Sequence, residues 1–244
     1  MFEYIFLAVV VLVIWEYFGS TSSVVRLYIS SPSLIVDYFF QNSEALLYAT
    51  FVTFLEASAG LMIAVIFSFS LMILCFFKPR FLEFIMPIMI ISQVIPVIVL
   101  APFFIILFGI GLTSKILMAA VISFFPIFVN FVQGYRAIPS SIHELMDRYQ
   151  ASTRFRIENV YFPLSMPSIM TGLKISSTLA VIGAIVAEFT GAKVGIGKNL
   201  FISAIRLDPD LMMTSLILAS LIGLAIFGTA RIIERYYGSW YSKD

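Results

Sequence analysis

Histidine and cysteine each occur once in this chain of 244 residues, and charged side chains make up only 12% of it. With Cys75 alone, a disulfide framework and a cysteine-based metal site within one chain are excluded, leaving the residue as a lipid-facing or core filler. The one histidine, His143, has no neighbouring cysteine or cluster of acids, so it builds neither a metal site nor a nucleophilic dyad. It reads as a surface residue, and an intramembrane enzyme is disfavoured. No GxxxxGK[ST] phosphate loop occurs, so the chain does not bind ATP in that manner, and energy for any work must come from a partner or a gradient. A basic excess is also missing, 15 basic against 14 acidic side chains, which argues against nucleic acid as a partner. The opening MFEYIFLAVVVLVIWEYF lacks the basic start and small-residue cleavage site of a removable signal, and is read as an uncleaved first span.

What the chain has in abundance is apolar surface: 61% hydrophobic residues and a mean hydropathy of +1.03. Soluble domains carry charge on about 25% of residues, so this is an all-α, polytopic membrane protein with the lipid bilayer as its surroundings. Runs long enough to cross about 30 Å of hydrocarbon, roughly 20 residues each, fall at 2–18, 46–77, 84–108, 114–133, 171–190 and 211–233. They predict about six transmembrane helices, the second long enough to tilt or to project from the bilayer. Three parts follow: a first helix and outer segment at 1–45, a permeating core at 46–233, and a tail at 234–244. With both termini cytoplasmic, ten basic residues fall on inner segments and five on outer ones, Lys115 among the latter. That asymmetry favours this orientation.

Several features mark possible working parts. In the outer segment, SSPSLIVDYFFQN reads either as a connector or as a short interfacial helix following Pro32. The third run is punctuated by Pro87, Pro96 and Pro102, and a kinked helix of this kind often lines a pathway. Ser92 and Gln93, beside the Pro96 kink, are polar groups at membrane depth that either face a pathway or bond between helices. Glu56 and Glu188 lie within spans, where a carboxylate costs about 2.5–3.5 kcal/mol at the bilayer centre. Placement near the outer interface suffices for Glu188. Glu56 is deeper, a structural partner or a pathway lining, and no basic residue in the spans obviously completes a relay with it.

The stretch 137–174 is the hydrophilic exception, with Arg148, Arg154, Arg156 and Lys174 alternating with Glu144, Asp147 and Glu158. Ser141 and Glu144 form a capping-box pattern after Pro139, followed by Ile142, Leu145, Met146 and Tyr149 at helical spacing. Ser152 starts a second short helix that Pro163 and Pro167 interrupt. The turn between them, with Arg148, Gln150 and Arg154 on its charged flank, suits either a plain amphipathic connector or a docking element.

The spacing from Glu144 through Ala151 and Ser152 to Phe162, Pro163 and Pro167 resembles the EAA loop of binding-protein-dependent ABC transporter permeases. SPSLIVDYF is similar to that family's P-S-P segment, IPVIVLAPFFIILFGIGLTSKI to its I-P…A-P…F-G-I-G-x-x-S-K block, and AEFTGAKVGIG to its A-E-hydrophobic-G-x-x-x-G-L-G outer loop. The blocks fall in the family's order, from Ser31 to the C-terminus, and are characteristic of the branch that imports nitrate, taurine and other sulfonates, and thiamine-precursor pyrimidines.

The resemblance implies a type I ABC importer permease fold in the cell inner membrane. It implies no cofactor in this chain, with ATP and Mg held by partner ATPases. Two of these dock on a pair of permease subunits, expected to be a homodimer, and an extracytoplasmic binding protein delivers the solute. On the same ground the ATPase-coupling role falls to Glu144, Leu145, Met146, Arg148, Gln150, Ala151 and Ser152, with Pro163 and Pro167 closing the motif. Leu145 and Met146 replace the family's two alanines, and Gln150 replaces the glycine that lets its turn go left-handed, at a cost of roughly 1–2 kcal/mol if the geometry is kept. Glu56, Ser92, Gln93 and Pro96 are the pathway candidates. The T-x-x-E-x-x-x-G setting of Glu56 resembles permeases for pyrimidines and other heterocycles. A gradient-driven carrier using Glu56 is the alternative, and a structural scaffold a third.

Overall fold

A computed structural model describes residues 2–21, 26 and 28–238. Its helices are α1 (Phe2–Thr21), α2 (Pro32–Gln41), α3 (Ser43–Phe77), α4 (Pro79–Ser92), α5 (Val97–Phe108), α6 (Leu112–Arg136), α7 (Ser140–Arg148), α8 (Thr153–Arg156), α9 (Phe162–Phe189), α10 (Ile196–Arg206) and α11 (Pro209–Gly238). A π-helical turn at Ile157–Tyr161 joins α8 to α9. Of the expected outer segment and tail, residues 22–25, 27 and 239–244 lie outside the described residues.

Four helices are long and apolar enough to cross a bilayer: Ser43–Phe77, Leu112–Arg136, Thr153–Phe189 and Pro209–Tyr237. The third apolar run is not one rod, because α4 and α5 meet at a bend of 101° and make at most a fifth span together. The first run forms α1, whose segment Val9–Thr21 is a shorter apolar helix, so among the described residues four or five spans meet the length and composition of a crossing helix. The bend has a local cause. Pro96 has no N–H to donate, and the N–H groups of Gln93 and Val94 turn back to the carbonyls of Ile90 and Ile91 at 3.1 Å, closing α4 in tight turns.

α6 is packed between α3 and α9, and small residues set the approach. A methyl added to Gly60 would lie 2.8 Å from the Ile116 carbonyl, one on Gly183 2.8 Å from Ala119 Cα, and one on Gly172 2.8 Å from the Pro126 carbonyl. Such contacts let backbones touch where lipid offers no hydrophobic drive for association. Serines bond across the same seams: Ser176 donates to the Ser123 carbonyl at 2.6 Å and Ser68 to that of Phe124 at 3.3 Å. Among the described residues the apolar core has three centres, one around Ala57, Ala119, Ala184 and Ile196, a second around Met72, Phe128, Phe131 and Ile169, and a smaller third around Ala101, Met118, Ile122 and Ala187. Cys75 fills the second.

The outer segment holds a helix rather than a plain connector. Pro32 sits in the first turn of α2, Ser31 caps it, and Ser33 ties it to Glu16 of α1 at 2.6 Å.

Two expectations about the hydrophilic stretch are corrected. The N-cap of α7 is Pro139, in extended conformation, which puts Ser141 inside the helix, so no capping box forms. Pro163 and Pro167 do not end the second helix, which runs on from Thr153 to Phe189. The π turn explains the continuity. Phe162 N–H reaches five residues back to Ile157, and this widened register lets Pro163 follow without breaking the rod.

Candidate functional site

The turn between α7 and α8 is closed by Gln150, whose φ is +48°. Its N–H bonds to the Asp147 carbonyl and that of Ala151 to the Met146 carbonyl, both at 3.0 Å. These are the paired bonds of a Schellman closure, usually built on glycine. Glutamine therefore takes the left-handed conformation here, and the turn is not widened. Arg156 compensates. Its Nε donates to the Ala151 carbonyl at 2.8 Å, Nη2 to that of Met146 at 3.1 Å, and Nη1 to Asp147 Oδ1 at 2.5 Å. One guanidinium thus holds both sides of the turn through charge-assisted bonds. Sequence reasoning placed Arg156 among the inner charges without assigning it this work, because a brace between residues nine apart across a turn has no periodic signature.

Beneath the turn, α7 rests on aromatic rings. His143 stacks near Tyr161 with its Nδ1 3.1 Å from the tyrosine hydroxyl, and its ring meets Tyr135 edge-on at 5.8 Å between centroids. Phe76 completes the group, stacked on Tyr161 at 5.6 Å and edge-on to Tyr135 at 5.0 Å. The expected surface histidine is thus half-buried and joins the turn to α3, α6 and the start of α9. The opposite face is free: Leu145, Tyr149 and Phe155 are 42%, 76% and 50% exposed. Glu144, Arg148, Gln150, Ser152 and Arg154 are exposed around them, while Met146 and Ala151 are half-buried. Pro163, half-buried, and Pro167, exposed, lie further along the rod.

At the opposite end of α3 and α9 a polar cluster is sealed inside. Lys115 Nζ lies 2.7 Å from Glu56 Oε1, with Glu56 wholly buried and Lys115 8% exposed. Two expectations change. Lys115 is no outer-loop cation but the partner that Glu56 lacked in the sequence, and Glu188, 1% exposed, is buried rather than interfacial. Glu188 lies beside Glu56, accepts from Thr53 Oγ1 at 2.7 Å and from Gly197 N–H at 2.5 Å, while Thr53 Oγ1 accepts from Ile196 N–H at 2.9 Å. The carboxylate thereby caps α10, where the helix dipole favours negative charge. Gly195, at φ +145°, must be glycine twice over, since a side chain there would also run into Glu188.

Ser92, Gln93 and Pro96 come together at the bend between α4 and α5, all exposed on the single chain. Ser92 Oγ donates to the Met89 carbonyl at 2.7 Å. A cavity of about 310 Å³ opens there between Gln93, Leu100 and, on α6, Val121 and Phe124. Glu56 is not part of it.

Residues 60–239 match the family described as "Binding-protein-dependent transport system inner membrane component". The chain is 32% identical to the formylaminopyrimidine transport permease protein ThiX of Halalkalibacterium halodurans, over 96% of this chain and 93% of that protein. It is 33% identical to the riboflavin transport system permease protein RibX of Chloroflexus aurantiacus, over 94% and 86%. A probable ABC transporter permease protein of Haemophilus influenzae is 31% identical over 89% of each. Among solved structures, a chain of the MetNI methionine ABC transporter in an inward-facing conformation superposes with a TM-score of 0.71 at 18% identity, covering 81% of this chain and 98% of that one. The fold is therefore that of an ABC importer permease, and the protein belongs to the binding-protein-dependent transport system inner membrane components: it is the permease subunit of an ABC importer for small solutes, not itself the ATPase.

Proposed function

We propose that the braced turn from Glu144 to Ser152 is the docking element for a cytoplasmic ATPase subunit, and that two copies of this chain, two ATPases and an extracytoplasmic binding protein make the working importer. ATP and Mg belong to the ATPases, and both termini of the permease face the cytoplasm of a cell bounded by this inner membrane. The observation that carries this is the exposed triad Leu145, Tyr149 and Phe155, rimmed by charges of both signs on a turn made rigid from within by Arg156. An apolar centre with a polar rim is the anatomy of a protein interface. ATP-driven closure of the two ATPases draws the paired turns together and rocks the helical bundles between inward- and outward-open arrangements.

The solute reaches this chain from the binding protein. A pyrimidine or other heterocycle, in keeping with the names of ThiX and RibX, or alternatively a sulfonate, taurine or nitrate, is the substrate to test. Glu144→Lys and Ala151→Arg are expected to uncouple ATP hydrolysis from uptake in reconstituted vesicles while the permease still inserts into the membrane. Unchanged coupling in both variants overturns the docking assignment.

A further inference from the structure

We propose that the cavity at the bend between α4 and α5 is a transit site for the solute, and that this solute is uncharged with an amide-like hydrogen-bonding edge, as in a nitrogen heterocycle. The inference rests on the permease reading and names the chemistry of its pathway.

Gln93 carries the argument. It lies in the middle of the apolar run 84–108, is exposed, and its side chain makes no hydrogen bond within the described residues. A primary amide left without partners in hydrocarbon is costly, and polar groups in spans face protein or water-filled space. The backbone is broken beside it by the 101° bend, and irregular backbone at this depth occurs where it lines a cavity or is buried in protein. The space it faces measures about 310 Å³, at the small end of the roughly 300–1,000 Å³ of small-molecule sites.

The lining selects the chemistry. Besides Gln93 and Ser92 the walls are apolar, including Leu100, Val121 and Phe124, and none is charged. The cations of the neighbouring helices are both paired, Lys174 of α9 with Glu234 at 2.6 Å and Lys115, further along α6, with Glu56 at 2.7 Å, so an anion in the cavity has no free counter-charge. A glutamine amide both donates and accepts. It pairs with an adjacent donor and acceptor on a heterocycle or carboxamide, whereas a sulfonate or nitrate offers acceptors only and a quaternary ammonium offers no donor. The wall residues Val121 and Phe124 belong to α6, whose far end carries Tyr135 under the docking turn, so the cavity shares a helix with the element proposed to drive it.

The test uses the complete transporter in proteoliposomes, with Ser92→Cys, which leaves the Gln93 amide in place, in a Cys75→Ser background. A water-soluble methanethiosulfonate reagent is expected to label the introduced thiol, whereas Cys75→Ser alone, which leaves this chain without a thiol, takes up no label on the permease. Formylaminopyrimidine or riboflavin, supplied with binding protein and ATP, is expected to slow labelling at least fivefold, while taurine and nitrate leave it unchanged. Absence of labelling overturns the proposal, as does labelling that neither neutral probe slows or that taurine or nitrate slows instead. A spontaneous disulfide between two copies also overturns it, since Ser92 would then face its counterpart rather than a solute. The permease reading fails on a different result: uptake by the natural sequence that needs no ATP.

Discussion

Replacing Lys115 by methionine tests whether the sealed cluster is a structural latch. Lys115 Nζ and Glu56 Oε1 are 2.7 Å apart with both side chains buried, and at an effective dielectric of about 20 their attraction is about 6 kcal/mol. Desolvation of both ions offsets most of that, so the pair is worth little against an apolar pair of equal volume. Removing only one partner is another matter. The remaining carboxylate stays buried, with its Oε2 already lacking a donor, and the loss is about 3–5 kcal/mol. In a chain of this size each kcal/mol moves the unfolding midpoint by about 2–4 °C, so Lys115→Met should lower Tm by about 6–20 °C in fluorescence-detected unfolding of the detergent-solubilised protein. The double variant Lys115→Met with Glu56→Leu should recover to within about 3 °C of the natural chain. A single-variant loss below about 2 °C, or a double variant as unstable as the two losses added, refutes the latch.

Three further outcomes follow from the turn and the helix seams. Gln150→Gly relieves roughly 1–2 kcal/mol of left-handed strain but loosens the unfolded chain by about 0.4–1 kcal/mol; the Ala151 amide should exchange with solvent severalfold more slowly, and faster exchange refutes the strain. Arg156→Ala removes the charge-assisted bonds that hold both sides of the turn, so the same amide should exchange at least about tenfold faster; the double variant with Gln150→Gly should regain part of the protection. Gly183→Leu drives a side chain into Ala119 Cα, 2.8 Å from the first added carbon; overpacking of about 1–3 kcal/mol should lower Tm, and an unchanged midpoint means that α6 and α9 do not touch as described.

Which features the sequence disclosed follows from the range of the interactions. Apolar runs report burial in a bilayer residue by residue, so α3, α6, α9 and α11 were legible, and Ser152 was recognisable as a cap because its partner, Phe155 N–H, is three residues away. Pro163 misled for the complementary reason: a proline signals a break, but the π turn that absorbs it is a register shift with no residue signature. Glu56 and Lys115 are 59 positions apart. Counting Lys115 as a loop cation hid the pair, although a lysine inside the apolar run 114–133, opposite an otherwise unexplained glutamate, was the available signal. Glu188 was assigned to the interface from its nearness to a helix end, a one-dimensional measure blind to α10 folding back over it.

The two polar features, the braced turn and the sealed cluster, are connected by one object. The helix Thr153–Phe189 is 37 residues long, about 55 Å at 1.5 Å per residue. Near its first end, Tyr161 carries the aromatic seat of the braced turn; at its last, Glu188 caps α10 and adjoins Glu56. Gly172 and Gly183 interlock it with α6, and Tyr135 and Lys115 stand at the corresponding ends of that helix. A packed core does not compress appreciably, so a displacement imposed at the turn cannot be absorbed within this pair. It must be passed on as motion of the pair as a unit, past the α4–α5 bend, which lies against α6 at Val121 and Phe124. The sealed cluster ties α3, α6, α9 and α10 together at the far end of the same pair, through Lys115–Glu56 and through Glu188 with Thr53 and Gly197.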